Sequence, residues 1–513
     1  MVLAPRIPGV LVALGIVCFT VLHLAAVGPF WEVTPDSTVY MEGARAIAEG
    51  RPYDIPLRPP ATSLAFAVAL AAAPEGYLWL NTLTTLATLL AMIPVFLLMR
   101  RLLGAHAAGP IVLCSLGSTL VFRHGTLLLS ESLFLLFSMS ALYAVQRARD
   151  SNWSARGLVG ATLGVFVASM TRIVAFVAAC AVIAEVVFNS LRDVRSLKKV
   201  RWMPILAMGL VIAVDAAWEL RNTFYGYSTI DLAVQAQPWA PSEGYLTLRT
   251  LLERFSANLA DFRMIGHVLA NGDPSHAETH PLFRAMAASA FGLFAVGLVR
   301  RLGRPTYLEF YLLFSFALFS VYYIQMAIRW FGPLVPLLWF YAWSGAEYLW
   351  SRLAKRSQAV RIAAALPALA GLASYCVFGV QYMLAARAEA QSSPIPESAI
   401  KYAANYDLQR SAVWARGHSR EDEVMVTQHA EIVELIAERT TLSFPLTSDW
   451  GAWSAMLDSA RPRYLLADEL EPMVQRYLLP LAEEHSERFK LVSDLGDARI
   501  YEIRHGPQGG GVR

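Results

Sequence analysis

The chain has 513 residues, of which 56% are hydrophobic and only 16% are charged, and its formal net charge is +3 at pH 7. This is more apolar surface than the core of a soluble globular protein needs, so the composition excludes a soluble enzyme and requires lipid around much of the chain. The small net charge gives no support for binding to nucleic acid. The four cysteines lie in apolar runs and form neither a disulfide framework nor a metal-ligand spacing.

About eleven apolar runs follow one another along the chain up to Leu384, and a helix needs about 20 apolar residues to cross the hydrocarbon layer. They are 7–27, 77–99, 107–121, 127–145, 157–170, 173–188, 203–218, 282–299, 308–324, 330–346 and 362–384. The two runs on either side of Arg172 are short enough to form one long bent helix instead. The sequence therefore predicts a polytopic α-helical membrane protein with about 11 spans.

Basic residues indicate the orientation of these spans, because short cytoplasmic loops are enriched in Lys and Arg. They collect at 100–101, 147–156, 192–201, 300–304 and 352–361. With a cytoplasmic N-terminus, all five stretches fall on the cytoplasmic side, and loops 28–76 and 219–281 fall outside. The first run could also be a cleaved signal peptide, but its apolar stretch is longer than usual for one. We expect a multi-pass protein of the inner or plasma membrane.

The predicted membrane domain covers residues 1–386, after which the composition becomes polar and charged. Ser393-Pro394-Ile395-Pro396 is typical of a linker. Strand and helix patterns alternate over 387–505, which predicts a small extracytoplasmic α/β domain, and residues 506–513 are expected to be a disordered tail. Within this domain the sequence predicts a strand at 464–467 after Arg-Pro-Arg at 461–463, a helix over 473–485, and a hairpin over 489–503 that turns at Gly496-Asp497. In the first external loop, 37–49 is predicted to be helical, and the short apolar segment 61–73 is predicted to lie in the interface or to be re-entrant.

Two acidic residues next to the apolar runs are candidate functional residues, because a charged side chain at the membrane is energetically costly and usually has a function. Asp36 follows the first run and precedes the predicted helix, where it could act chemically, cap the helix, or do both. Glu131 lies near the start of the fourth run, where the favourable field of a helix N-terminus is the structural alternative.

Five arginines are exceptions to the charge rule, since they fall at or near the predicted outer surface. A bound phosphate group would explain them, because a guanidinium offers paired donors to phosphate oxygens, although a single arginine is more often an interfacial residue or part of an ion pair. They are Arg58, Arg123, Arg172, Arg221 and Arg329.

An ordered set of short motifs resembles the GT-C membrane glycosyltransferases, in particular the bacterial relatives of protein O-mannosyltransferases and lipid A aminoarabinose transferases. The motifs are Pro35-Asp36-Ser37-Thr38-Val39-Tyr40, Gly50-Arg51-Pro52-Tyr53, Arg58-Pro59-Pro60, Glu131, Thr171-Arg172, Arg221-Asn222, Arg329 with Pro333 and Pro336, and Ala498-Arg499-Ile500-Tyr501-Glu502-Ile503. The similarity extends over nearly the whole chain.

The resemblance implies an inverting transfer of a sugar from a polyprenyl-phosphate donor to a glycan, lipid or protein acceptor on the extracytoplasmic face, within membrane lipid. Asp36 would take the acceptor proton as general base, and Glu131 would orient the acceptor, support Asp36 or bind a cation. The donor phosphate would be held by the arginines other than Arg123, namely Arg58, Arg172, Arg221 and Arg329. His124 and Tyr40 are secondary candidates for contacts with the acceptor.

The resemblance leaves the cofactor unknown and a divalent cation open. Relatives often have an acidic residue or a histidine before the Pro-Pro pair, where this chain has Arg58. The loop histidines His267, His276 and His280 could supply ligands, although histidines in loops are usually solvated. Two other functions remain open, a transporter or flippase for a polyprenyl-linked lipid and a noncatalytic assembly subunit with the same fold. Transporters typically have internal repeats, and this sequence has none that is detectable.

Overall fold

The computed structural model describes residues 9–55, 57–72, 77–192, 202–225, 234–235, 244–271, 281–321, 328–353, 358–391, 400–402 and 405–505. The chain divides into two compact units. The larger unit comprises Met1–Pro29, Glu42–Asp231 and Leu248–Gln391, and the smaller comprises Phe30–Met41, Leu232–Thr247 and Ser392–Arg513. The predicted linker at 393–396, the tail 506–513, His276 and His280 lie outside the described residues.

The larger unit is built from helices. They are α1 Gly9–Ala25, the second half of α2 Pro35–Ala48, α3 Ala61–Ala72, α4 Tyr77–Leu103, α5 Ala105–Leu116, α6 Thr119–Thr126, α7 Glu131–Asp150, α8 Ala155–Thr171, α9 Phe176–Arg192, α10 Trp202–Phe224, α11 Leu248–Asp261, α12 Met264–Ala270, α13 Pro281–Leu302, α14 Tyr307–Val321, α15 Val335–Leu353 and α16 Gln358–Ala390. Short 3-10 helices at Ile173–Ala175 and Ile328–Leu334 precede α9 and α15.

Among the described residues, fewer helices meet the length and apolarity needed for a span than the sequence predicts. Within the described ranges, four helices are long and apolar enough to cross a membrane, namely α4, Ile173–Arg192, α10 and Phe283–Leu302. The pair α5 and α6, bent by 57°, makes a fifth if it forms one broken span. Apolar helices of 10 to 17 residues, including α1 and α8, fall short of that length. The chain is a membrane protein, and the figure of about 11 spans stays a prediction.

A buried asparagine, Asn271, bridges the bend between α5 and α6. Nδ2 of Asn271 donates to the carbonyl oxygens of Gly117 at 2.8 Å and Tyr375 at 3.2 Å, and its Oδ1 accepts from the backbone N–H of Thr119 at 2.7 Å. A break in an apolar helix leaves backbone groups unsatisfied, and a buried amide can satisfy donors and acceptors at once. Asn271 thus fixes where α6 begins.

Two helix boundaries differ from the sequence prediction. The fourth apolar run was expected to be helical from residue 127, but α7 begins at Glu131, and 127–130 form a turn. At Arg172 the backbone is extended, with φ −148° and ψ 126°, which separates α8 from the 3-10 turn at Ile173–Ala175. The alternative of one long bent helix around Arg172 is therefore wrong, because its backbone leaves the helical region there.

Helices α13 and α15 approach each other through glycines. A Cβ on Gly297 would lie 1.9 Å from the carbonyl oxygen of Tyr341, and one on Gly345 would lie 2.0 Å from that of Leu293. Only a residue without a side chain permits such backbone contact, a common device between membrane helices. This contact fixes α15, which directly follows the 3-10 helix at Ile328–Leu334.

The smaller unit combines two parts of the sequence. Strand β1, Trp31–Val33, comes from the first predicted loop and pairs in parallel with β2, Ile400–Tyr402. The remaining helical segments are α17 Tyr406–His418, α18 Ala430–Ala437, α19 Trp450–Ala460, a π-helix at Val474–Leu478, and α20 Leu479–Glu484. Residues 473–485 were expected to form one regular helix, and the π-helical turn interrupts it.

A five-stranded sheet forms the centre of this unit, in the order β4-β3-β5-β7-β6. The strands are β3 Met425–Thr427, β4 Thr441–Ser443, β5 Tyr464–Asp468, β6 Phe489–Asp494 and β7 Ala498–Ile503. Strand β3 runs parallel to β4 and β5, whereas β7 is antiparallel to β5 and β6. The hairpin between β6 and β7 turns at Gly496, whose φ of +99° favours glycine, as its Gly-Asp sequence predicts.

Candidate functional site

A buried carboxylate and two guanidinium groups meet within the larger unit. Glu131 is the first residue of α7, and its side chain is only 2% exposed. Its Oε1 lies 2.6 Å from Nη1 of Arg172 and 3.8 Å from Nε of Arg329. Three residues that the sequence singled out separately thus form one cluster, which we call the Glu131 cluster.

Each member of the Glu131 cluster is placed by an interruption of helical structure. Arg172 lies at the break after α8, where its backbone N–H donates to Ala168, and its guanidinium lies 5.9 Å from the centre of the Phe134 ring. Arg329 lies in the 3-10 helix at Ile328–Leu334. The carboxylate of Glu131 stands in the first turn of α7, where the helix dipole favours a negative charge. Breaks in three helical segments thus bring these groups together.

His124 and a set of hydroxyl groups form a polar layer beside the start of α7. Oγ of Ser132 donates to the carbonyl oxygen of His124 at 2.7 Å, and Oγ1 of Thr88 donates to Oγ of Ser132 at 3.0 Å. The hydroxyls of Thr84 and Thr85 donate to the carbonyl oxygen of Gly125 at 2.9 and 3.0 Å. All of these residues are buried. They satisfy the last carbonyl groups of α6 and so hold His124 in place.

Gly332 lies directly against His124. A Cβ built at position 332 would stand 2.2 Å from Nδ1 and 2.3 Å from Cε1 of the imidazole. A contact this short forces a shift of one of the two groups. Because Gly332 and Arg329 share one 3-10 helix, the approach to His124 also fixes the position of the arginine.

The charges of the Glu131 cluster do not cancel. One carboxylate faces two guanidinium groups, and arginine stays charged in proteins. The side chain of Arg329 is 39% exposed, against 21% for Arg172, and it lies farther from Glu131. Arg172 therefore makes the close ion pair, while Arg329 exposes more of its side chain. Such an arrangement is suited to an anionic group.

Arg58 and Arg221 belong to a second group on the larger unit. Nη2 of Arg221 donates to the carbonyl oxygen of Tyr53 at 2.6 Å, and Nη1 donates to that of Ile55 at 3.4 Å. The phenol of Tyr53 donates in turn to the carbonyl oxygen of Arg58 at 2.9 Å. The guanidinium of Arg221 also lies 4.5 Å from the ring centre of Trp218. Arg221 thus ties α10 to the segment that leads to Arg58.

Asp36 and Tyr40 lie on α2 in the part of the helix that belongs to the smaller unit. Thr34 occupies the capping position, because its Oγ1 accepts from the N–H of Ser37 at 3.1 Å and Oγ of Ser37 accepts from the N–H of Thr34 at 2.8 Å. Helix capping is therefore the role of Thr34, not of Asp36. Asp36 is partly buried in the first turn, and Tyr40 is buried.

Sequence reasoning missed Gly332 and the hydroxyl layer, and it named Tyr53 only within a motif, without a role. Three threonines at 84, 85 and 88 in an otherwise apolar run are a signal that was available, since i, i+1 and i+4 share one side of a helix. His267, on α12, was a candidate metal ligand. Among the residues that the structure describes, it joins no group of three side chains with metal-binding spacing.

Comparison with known proteins supports the fold at low sequence identity. No family model and no curated protein sequence matches the chain. The crystal structure of ArnT from Cupriavidus metallidurans bound to undecaprenyl phosphate is similar, with a TM-score of 0.55 and 12% identity over 98% of this chain and 100% of that one. The oligosaccharyltransferase AglB of Archaeoglobus fulgidus, in complex with an inhibitory peptide and a dolichol-phosphate, has a TM-score of 0.56 and 14% identity over 97% of this chain and 75% of that one.

The similarity to ArnT extends over the full length of both chains, so it includes the larger and the smaller unit. At identities of 12 to 14%, the similarity shows a shared fold but does not show that the residues of a functional site are shared. The chain therefore has the fold of these structures, in agreement with the resemblance of its sequence motifs to the GT-C membrane glycosyltransferases.

Proposed function

We propose that the chain is an inverting glycosyltransferase that moves a sugar from a polyprenyl-phosphate donor to an acceptor on the extracytoplasmic face of the cell membrane. The observation that carries the proposal is the Glu131 cluster, which presents two guanidinium groups with one carboxylate between them. In the proposed orientation, the N-terminus is cytoplasmic and the C-terminal α/β domain is extracytoplasmic. The acceptor is a glycan, a lipid or a protein.

The leaving group of such a reaction is a lipid phosphate, which carries negative charge into a region of low dielectric constant. Fixed cationic donors stabilise that charge as it develops, and this kind of stabilisation is often the largest contribution to catalysis. In our proposal, Arg329 contacts the phosphate, because it is the more exposed arginine and lies farther from Glu131. Arg172 and Glu131 then act as positioning residues. The isoprenoid tail would lie along the lipid-facing helices.

The chemical step is a displacement at the anomeric carbon. The acceptor oxygen forms a bond to that carbon while the bond from the carbon to the phosphate oxygen breaks, and the electron pair leaves with the phosphate. The acceptor proton passes to a carboxylate acting as general base, for which we propose Asp36. This assignment rests on the position of Asp36 in the sequence. Because Thr34 caps the helix, capping does not explain why position 36 is acidic.

The remaining candidates take supporting roles in this proposal. Arg58 and Arg221 are proposed to contribute to the charge field of the donor site, with Arg221 holding the segment at Tyr53. His124 and Tyr40 stay secondary candidates for contacts with the acceptor. His124 is also required to fill the space against Gly332.

Binding of the leaving lipid tests the phosphate site directly. The full chain is purified into lipid nanodiscs, and its melting temperature is measured with increasing undecaprenyl phosphate, since a ligand that binds only the folded state raises that temperature. We expect Arg329→Ala to weaken binding at least tenfold and Arg329→Lys to restore part of it. The matched control is Arg249→Ala, which removes an exposed arginine that is paired with Glu253. Equal binding by Arg329→Ala and the wild type would refute the phosphate site.

Transfer itself is tested with the natural donor. Lipids that co-purify with the protein are identified by mass spectrometry, and the lipid-linked sugar found is then supplied with extracts of cell-surface acceptors. We expect sugar to appear on an acceptor and free polyprenyl phosphate to accumulate in equal amount. Movement of the intact lipid-linked sugar between the leaflets, without release of polyprenyl phosphate, would identify a flippase instead.

A further inference from the structure

Three side chains in the smaller unit converge at one edge of its sheet. His429 follows strand β3, Asp468 is the last residue of β5, and Glu471 lies three residues farther on. Nε2 of His429 is 3.0 Å from Oε1 of Glu471. One potential ligand atom from each of the three lies within 4.8 Å of the others. His429 and Asp468 are buried, and Glu471 is partly exposed.

The topology of the sheet makes this edge a binding position. Strands β3 and β5 are parallel neighbours, so their carboxyl ends lie side by side. The chain leaves β3 toward β4 on one side, and it leaves β5 toward β7 and β6 on the other. Between two strands whose connections diverge, a crevice opens at the carboxyl ends, and ligands of α/β sheets bind there. His429 and Asp468 stand at the ends of these two strands.

We propose that His429, Asp468 and Glu471 bind one divalent transition-metal ion, for which Zn²⁺ is the best match. One imidazole nitrogen and two carboxylate oxygens are the ligand set that zinc accepts when its fourth position is left to water or to a substrate group. Ions such as Mg²⁺ and Ca²⁺ prefer oxygen ligands alone, so the histidine argues against them.

The distances allow such a site with a small adjustment. In a tetrahedral zinc site with ligands at about 2.0 to 2.1 Å, neighbouring ligand atoms lie about 3.4 Å apart. The separation of 3.0 Å between His429 and Glu471 is already close to this value. The widest separation, up to 4.8 Å, has to shorten by about 1.4 Å on that geometry. Glu471, which is partly exposed, has room to make that movement.

Asp468 is held in place by a second layer of contacts. Its Oδ1 accepts from the backbone N–H of Leu470 at 3.0 Å and from the side-chain amide of Asn405, the residue that caps α17. Partners of this kind orient a carboxylate that binds a metal and fix which oxygen faces the ion. Both contacts involve the same oxygen atom, so in this arrangement the other oxygen would bind the ion.

An ion pair between His429 and Glu471 explains only part of this arrangement. It accounts for two of the three side chains and leaves a buried aspartate beside a second carboxylate. Two carboxylates that lie together at a largely buried position need positive charge close by. A bound cation would supply that charge. This site shares no residue with the proposed transfer reaction, so each of the two proposals can fail without the other.

The test uses the full chain in detergent or nanodiscs after removal of metal with a chelator. Zinc binding is measured by calorimetry, and the bound metal is counted by mass spectrometry. We expect one high-affinity ion per chain in the wild type, and at least a tenfold weaker affinity in His429→Gln, Asp468→Asn and Glu471→Gln. The control is His485→Gln, since His485 also has a carboxylate neighbour, Glu487 at 3.6 Å, but no third ligand within the described residues. This variant should bind zinc as the wild type does.

Cobalt supplies a readout that does not depend on a stable variant at a buried position. Co²⁺ bound to one nitrogen and several oxygens gives a visible absorption band that changes when a ligand is lost. We expect Glu471→Gln, a change at a partly exposed position, to keep its melting temperature without metal and to alter this band. If the wild type binds no zinc after chelation, or if the variant with all three substitutions binds it as tightly as the wild type, the proposal is wrong.

Discussion

Gly332 and His124 fit together with no room for a side chain at position 332, where a Cβ would stand 2.2 Å from Nδ1 of the imidazole. Because Gly332 shares a 3-10 helix with Arg329, any shift here also moves the guanidinium. We predict that Gly332→Ala lowers affinity for undecaprenyl phosphate at least tenfold and destabilises the protein by about 1 to 3 kcal/mol, as overpacking usually does. Lipid binding and the melting temperature of the purified variant measure both effects.

Gly292→Ala is the matched control for this substitution. A Cβ at position 292, within α13, meets no atom within 4 Å. Alanine also forms helices better than glycine by roughly 0.8 to 1 kcal/mol, so this variant should be at least as stable as the wild type. Equal behaviour of the two alanine variants would contradict the proposed fit between Gly332 and His124.

Replacing only one partner of the ion pair between Glu131 and Arg172 should destabilise the protein. Glu131→Gln removes the buried carboxylate that pairs with both arginines, and loss of one partner of a buried pair typically costs about 3 to 5 kcal/mol. We expect a marked fall in melting temperature. The double variant Glu131→Gln with Arg172→Gln should recover part of it, because the two charges interact.

An exposed ion pair provides the comparison for that experiment. Arg101 pairs with Asp150, and both side chains are 39% exposed. Arg101→Gln should change the stability by about 0 to 1 kcal/mol, as is usual for pairs at the surface. If Glu131→Gln were as mild as this control, the Glu131 cluster would not be a buried charge network.

Asp36→Asn should strongly reduce the rate of transfer while leaving the fold intact. The amide keeps the size of the side chain but cannot take a proton, and a general base contributes typically 10²- to 10⁴-fold to the rate. We expect kcat to fall by a factor in that range, with undecaprenyl phosphate binding and melting temperature unchanged. Asp54→Asn, at an exposed position, is the control and should keep full activity. A normal kcat in Asp36→Asn would dismiss Asp36 as the base while leaving the phosphate site open to its own test.

Arg221 should act first on the conformation of the segment at 53–55. It donates two hydrogen bonds to backbone carbonyls there. Lysine cannot reproduce both, because its ammonium group lacks the planar, paired donors of a guanidinium. We predict that Arg221→Lys increases protease cleavage near Tyr53, measured by limited proteolysis and mass spectrometry. Arg249→Lys, at an exposed position, should leave the cleavage pattern unchanged. An unaltered pattern in Arg221→Lys would show that these hydrogen bonds do not hold the segment.

Several features of the structure could be read from local patterns. The apolar runs overlap with helices, the turn at Gly496 lies where its sequence indicates, and strand β5 follows the Arg-Pro-Arg sequence at 461–463. Glycine conformation and hydrophobic spacing depend on neighbours close in sequence, so they can be recognised without the fold. The same reasoning failed at Leu127–Ser130, where an apolar sequence forms a turn because it has to deliver Glu131 to the start of α7.

The sequence by itself determined that the protein is a helical membrane protein with a polar α/β domain near its C-terminus, because composition and periodicity reflect the solvent around each segment. Only the tertiary structure decided that Glu131 meets Arg172 and Arg329, and that His429 meets Asp468 and Glu471. Most of these residues are far apart in the chain, and the order of the strands and the breaks between helices bring them together. Their proximity follows from how whole helices and strands pack, which no local pattern of residues encodes.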